Sequence, residues 1–118
     1  MIRKNLFKEK VTEEDFLKKI TLFHNSDISV ESYYFLPGQE FPLHRHPNGT
    51  QAIIIIRGEA EFYIKKEDEE IMTTIGRDGD VFFFESNTWH GAKNTGEAIL
   101  IVAQVTTNEP GMETKGNI

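Results

Sequence analysis

What most restricts the fold of this chain is a series of short β-branched and aromatic segments, each closed within a few residues by a turn signal. ISVESYYFL (28–36) stops at Pro37-Gly38, EFPLHRH (40–46) at Pro47-Asn48-Gly49, and QAIIIIR (51–57) at Gly58. EAEFYIKK (59–66) alternates acidic with apolar residues up to the charged tip EDEE; IMTTI (71–75) ends at GRDGD, VFFFE (81–85) at SNT, and EAILIVAQV (97–105) closes the series. Branched and aromatic side chains lose rotamer freedom against a preceding helical turn but pack well on a pleated surface, so these segments favour strands. About seven such strands joined by tight turns predict an all-β sandwich or barrel, in which closure removes exposed sheet edges.

One stretch departs from this pattern. TEEDFLKKI (12–20) predicts a short helix, with Thr12 as N-cap, Asp15 completing a weak capping box, and Phe16 and Ile20 facing inward. The expected organisation is an N-terminal segment, 1–27, packed on a barrel of residues 28–106. A polar tail, 107–118, follows, expected to be extended, disordered or pinned by a partner subunit. With 118 residues, the chain has room for one core and not two. The KKEDEE cluster reads as a solvated hairpin tip.

Composition narrows the function classes. A formal net charge of −6 repels phosphate backbones and anionic headgroups, so neither nucleic acid nor a membrane surface is an expected partner. The absence of cysteine rules out disulfides and thiolate metal sites, leaving imidazole, carboxylate, amide or water as metal ligands. The N-terminus lacks an apolar signal region, and aliphatic runs such as Ala52 to Ile56 are too short to span a bilayer. A cytoplasmic protein is expected.

The chemistry concentrates in HRHPNGTQ (44–51). Side chains alternate along a strand, so His44 and His46 share a face while Arg45 takes the other. A turn through Pro47-Asn48-Gly49 returns the chain beside them, and Gln51 is the first polar residue there. If Gln51 faces inward, Ile53 and Ile55 line the cavity beneath it. His90, in SNTWHGAKN, is favoured as a further donor; His24, in LFHNSD, reads as a surface or capping residue. A lone strand histidine is more often a hydrogen-bonded structural residue than a ligand, but several donors converging are harder to explain that way. Among Tyr33, Tyr34, Phe41, Phe62, Phe83 and Trp89, which a small barrel would ordinarily use as core, Tyr33, Phe41 and Phe83 are the substrate-pocket candidates, together with Gln104.

The spacings of these residues resemble those of the cupins. That family's first motif, G-x5-H-x-H-x3,4-E-x6-G, is matched by Gly38, His44, His46, Gln51 in the Glu position, and Gly58. Its second, G-x5-P-x-G-x2-H-x3-N, maps onto Gly79, His90 and Asn94, with Glu85 in place of the Pro and Asn87 in place of the Gly. The resemblance implies a double-stranded β-helix, or jelly roll, in which His44, His46, Gln51 and His90 bind one divalent ion. Zinc, nickel, manganese and iron are not distinguished by such donors. It further implies a small-molecule ligand and, since many such domains pair through edge strands, a homodimer.

Gln in place of Glu removes one negative charge from the ligand shell. Three imidazoles and an amide leave the ion its full charge, which weakens its retention and strengthens its polarisation of a bound oxygen. Iron that must pass through Fe(III) benefits from an anionic ligand, so the exchange disfavours dioxygenase chemistry. A shell of three His and one Gln resembles that of small cupins of pectin and alginate breakdown that open unsaturated uronates. Those carry an acidic residue and then an arginine in the final strand, where ILIVAQVTTNEPG offers Gln104 and no arginine. The expected function is therefore a Lewis-acid isomerase, lyase or ring-opening enzyme on a small oxygen-rich metabolite. The alternatives are a non-enzymatic module that binds a small ligand or metal, and an Fe(II) dioxygenase. Glu31, Tyr33, Tyr34 and Glu85 are the nearest acid/base candidates, and parity alone does not separate them.

Overall fold

A computed structural model describes residues 1–66, 68–107 and the backbone of 113–114. The described strands are β1 (Lys18–His24), β2 (Ile28–Phe35), β3 (Glu40–Arg45), β4 (Gln51–Arg57), β5 (Glu59–Lys65), β6 (Met72–Arg77), β7 (Val81–Phe84), β8 (Trp89–Asn94), β9 (Leu100–Thr107) and β10 (Glu113–Thr114). They form two antiparallel five-stranded sheets in the orders β1-β2-β9-β4-β7 and β10-β3-β8-β5-β6. Consecutive strands repeatedly change sheet, as in a double-stranded β-helix. No helix among the described residues is long and apolar enough to cross a membrane.

The helix expected over 12–20 does not form. Residues 12–17 run irregularly and Phe16 is 61% exposed, so there is no buried helical face. From Lys18 the chain pairs with the free edge of β2, from Lys18 opposite Tyr34 to His24 opposite Ser29. A nine-residue helix falls short of the roughly 12–15 residues that hold one together in water, whereas the edge of β2 satisfies the same backbone groups in a continuous ladder. The N-terminal segment is tied to the barrel by the Tyr34 hydroxyl, which donates to Leu6 O at 2.7 Å, and by Gln39 Nε2, which donates to Glu13 O at 2.6 Å. The expectation for the tail falls largely outside the described residues; Glu113 and Thr114 pair with Arg45 and His44 of β3.

The core draws side chains from both sheets. Tyr33, Phe35, Ile53, Ile55, Phe62, Phe84, Leu100 and Val102 form a single buried cluster, with Phe62 stacked on Phe82 at 4.2 Å. Gly38, Gly58 and Gly79 hold φ values of 84°, 117° and 85°, which explains their place in the motifs. At Gly58 a Cβ would also stand 3.1 Å from Leu100 Cα. Asn87, where the motif has glycine, takes φ 67°, a left-handed conformation that asparagine tolerates better than other side chains. The turn therefore survives the exchange, and Asn87 N donates to His46 O at 2.8 Å, tying the approach to His90 onto the first histidine pair.

A bulge positions the site. Phe41 pairs with Ala92 and His44 with His90, so Pro42 and Leu43 stand opposite Gly91 alone. A proline inside a strand is tolerated at such a bulge. The bulge brings the backbone so close that a Cβ on Gly91 would lie 2.7 Å from Phe41 O. By adding one residue it also places Phe41 and His44, three apart in sequence, against the same cavity. Asn94 closes the far end of β8: its Nδ2 donates to Phe35 O and Ala98 O, both at 2.9 Å, and its Oδ1 accepts from Gly96 N. The second-motif asparagine is thus a structural clamp.

Candidate metal centre and cleft

His44, His46 and His90 converge from β3, its C-terminal extension and β8. Each can offer one nitrogen, and these lie within 4.8 Å of one another, a spacing that could hold a metal ion. His44 and His90 are buried, 4% and 3% exposed. His44 Nδ1 donates to Pro42 O at 2.8 Å and His90 Nδ1 to Thr88 O at 2.9 Å. A carbonyl can only accept, so both rings carry their proton on Nδ1 and leave Nε2 with a lone pair. His90 Nε2 is buried without a hydrogen-bond partner. Phe41 packs on the His44 ring at 4.2 Å and Phe84 stacks on the His90 ring at 4.3 Å, fixing both ring planes.

Burial holds these rings neutral. The His44 pKa falls to about 3, through desolvation first, then repulsion from His90 and His46, against the opposing Pro42 hydrogen bond. The His90 pKa falls to about 4, again chiefly by desolvation, with His46 adding and the Thr88 carbonyl opposing. Neutral imidazole is the form that ligates metal.

Gln51 opens β4, opposite Phe84 and Thr106, and is 2% exposed. Its Nε2 donates to Thr106 Oγ1 at 3.0 Å, while its Oε1 is buried with no hydrogen-bond partner. A buried amide oxygen left unsatisfied costs about 1–3 kcal/mol, so a group that accepts its lone pair belongs there. Gln51 thus has the same arrangement as His90, one end anchored and the donor atom unmatched. The three imidazoles are donors of a kind that suits a divalent ion.

Beside the histidines opens a cleft of about 570 Å³. One wall carries Phe41, His44 and His46; the opposite wall presents Lys19 and Thr21 from β1, Glu31 and Tyr33 from β2, and Gln104 and Thr106 from β9. Of the pocket residues expected from sequence, Tyr33, Phe41 and Gln104 line this cleft. Phe83 does not: it is 65% exposed on the outer face of β7. The register of β7 on β4 pairs Phe84 with Gln51 and Phe82 with Ile53, so the two neighbours of Phe83 take the inward positions. Among the acid/base candidates, Glu31 and Tyr33 face the cleft, Tyr34 is buried toward the N-terminal segment, and Glu85 is exposed. His24 is exposed at the cleft rim, and the capping there is done by Asn25, whose Oδ1 accepts from Asp27 N and Ile28 N. Trp89 stands outside the cleft, with the Arg45 guanidinium 4.5 Å above its ring.

The polar wall is connected. Gln104 Nε2 donates to Glu31 Oε1 at 3.5 Å and to Thr106 Oγ1 at 3.4 Å, and Thr106 Oγ1 also receives Gln51 Nε2. Lys19 Nζ lies 3.0 Å from Glu31 Oε2. Burial and the Glu31 charge hold the Tyr33 hydroxyl well above its ordinary pKa, against an opposing hydrogen bond with Gln104, so it stays protonated. Lys19 and Thr106 carry no motif signal and escape sequence reasoning; only strand parity in β1 and β9, known once the registers are known, would point to them.

Comparison with known proteins agrees with this geometry. The chain belongs to the cupins: the cupin domain model matches residues 32–105, more than half its length. It is 24% identical over 90 residues to germin-like protein subfamily 2 member 1 of Arabidopsis thaliana, covering 75% of this chain and 41% of that protein. The chain therefore spans less than half the length of that relative. A conserved double-stranded β-helix protein of Klebsiella pneumoniae superposes with a TM-score of 0.87 at 22% identity, over 98% of this chain and 97% of the other. An oxalate oxidase structure superposes at 0.79 with 18% identity, over 97% of this chain and 63% of the other. At such identities the structural likeness is one of fold.

Proposed function

We propose that this cupin holds one divalent ion with His44, His46, Gln51 and His90 and works as a Lewis-acid enzyme on a small, oxygen-rich metabolite, in an isomerisation, elimination or ring opening. The observation that carries this reading is the pairing of anchored side chains with unmatched buried donor atoms at Gln51 Oε1 and His90 Nε2. When bound, the ion supplies positive charge that holds substrate oxygens and stabilises negative charge developing on them. The protein's own groups do the rest. Glu31, the one carboxylate among the described cleft residues, accepts a proton from the substrate; the Tyr33 hydroxyl donates a hydrogen bond to a substrate oxygen; Phe41 shields the His44 side from water. The absence of an anionic ligand at position 51 favours this chemistry over the oxygen chemistry that the name of the oxalate oxidase suggests.

Elemental analysis of protein purified without chelator should find close to one divalent ion per chain; a metal-free preparation that also fails to take up zinc, nickel or manganese removes the reading. Gln51→Glu should tighten metal binding by at least about tenfold, because one added negative charge at ligand distance is worth more than about 1.4 kcal/mol. Unchanged affinity would show that position 51 does not ligate.

Thr106 is a positioning residue in this scheme, since its hydroxyl accepts from Gln51 Nε2 and so leaves Oε1 as the end of the amide offered to the ion. Thr106→Val, of similar shape but with no acceptor, should weaken metal binding by about 10-fold or more, the usual cost of losing an outer partner of a ligand. Thr106→Ser should restore it. A valine variant that titrates with metal like the parent would leave Thr106 a packing residue only.

A further inference from the structure

The cleft wall opposite the histidines pairs Glu31 with a cation, Lys19, to which the metal reading gives no role. Among the described residues lining the cleft, Lys19 is the one Lys or Arg and Glu31 the one Asp or Glu, and they face each other at 3.0 Å. Their exposures differ: the Lys19 side chain is 52% exposed and that of Glu31 only 11%. The carboxylate is therefore built into the wall, held by Gln104 on one oxygen and Lys19 on the other, while the ammonium stands toward the opening. An ammonium has three donor hydrogens, and Glu31 Oε2 takes one. Two remain for whatever enters.

We propose that Lys19 is the anion-binding residue of the cleft and that the ligand is a small monocarboxylate bearing a hydroxyl group. This rests on the reading of the cleft as the substrate site. The charge of the molecule makes Lys19 decisive: with a formal net charge of −6 the chain repels anions at long range, so a carboxylate is selected only where a cation meets it inside the cleft. Lys19 cancels Glu31, and a bound divalent ion leaves the cleft with excess positive charge that one carboxylate reduces and a neutral polyol does not. The Tyr33 hydroxyl and the Gln104 amide, on the same wall, match a hydroxyl group next to the carboxylate. Lys19 comes from β1, the strand formed where a helix was expected, and its register opposite Tyr33 delivers it to the cleft.

The test uses three ligands of nearly one shape: lactate, lactamide and propane-1,2-diol, titrated calorimetrically into the protein as purified and after chelator treatment. Lactate should bind at least tenfold more tightly than lactamide or the diol. Lys19→Met should lose that tenfold preference with metal content unchanged, and Lys19→Arg should recover it to within a few-fold. Equal binding of lactate and lactamide, or an unaltered lactate affinity in Lys19→Met, overturns the proposal. So does inorganic phosphate binding more tightly than lactate in a Lys19-dependent manner. Lys19-dependent lactate binding in protein that is metal-free as purified and takes up no added zinc, nickel or manganese would keep the subsite and remove the metal reading; full metal content with Lys19-independent binding would do the reverse.

Discussion

His90→Ala and, separately, His44→Ala are expected to reduce bound metal from about one ion per chain to a trace. Structural zinc sites with four ligands hold the ion with about 10–16 kcal/mol, so on that scale one ligand carries roughly 3 kcal/mol and its loss lowers affinity by about 100- to 1,000-fold. Alanine at 90 also removes the ring stacked on Phe84 at 4.3 Å, and at 44 the ring against Phe41 at 4.2 Å, so each variant loses stability as well as metal. His90→Gln and His44→Gln separate the two effects: they keep side-chain volume and an oxygen donor, and should fold like the parent while binding metal less tightly. The check is metal content by elemental analysis beside a chelator-competition titration for each variant. Metal retained at parental stoichiometry by both alanine variants would sink the assignment of these histidines as ligands.

Acid should unfold the metal-free protein through the same two residues. His44 and His90 have folded pKa values lowered to about 3 and about 4 from 6.5. As pH falls below 6.5, the unfolded chain takes up protons that the folded chain refuses, so the stability these rings permit is complete above 6.5 and lost progressively toward the folded values. By about pH 4.5 the loss is roughly 2.5 kcal/mol for each histidine, a large part of the roughly 5–15 kcal/mol that holds a domain together. Urea unfolding of chelator-treated protein at neutral pH and near pH 4.5 measures the total. The carboxylates titrate in part of the same range, so the informative quantity is the difference from a His44→Gln/His90→Gln double variant. That difference should reach several kcal/mol at the lower pH; coincident pH profiles would mean that the histidines are not buried neutral.

The candidate site was legible in unequal parts. The i, i+2 spacing of His44 and His46 and the turn before Gln51 are local, so strand periodicity places them without knowledge of the rest of the chain. His90 could be joined to them only through a spacing pattern shared with other cupins, because nothing local to SNTWHGAKN says which strand lies beside it. The two positions read wrongly have a common cause. In VFFF every residue is apolar and three are identical, so the inward face is chosen by the pairing of Phe84 with Gln51. In TEEDFLKKI the helical pattern was present but weak, and the unpaired edge of β2 outcompeted it.

Lys19 and Thr106 show the limit more sharply. Each is an ordinary strand residue by type, and each matters because of what stands across from it: Glu31 at 3.0 Å for Lys19, the Gln51 amide at 3.0 Å for Thr106. The sequence by itself determined the strand-and-turn grammar, the glycines at positive φ, the exclusion of thiolate ligands and the first pair of histidines, since all of these follow from steric and chemical properties of neighbouring residues. Tertiary structure alone decided which faces turn inward, that a bulge opposite Gly91 sets Phe41 and His44 against one cavity, and which side chains complete the cleft. Those choices depend on inter-strand register, where a slip of one residue reverses every side chain and no local signal records which register won.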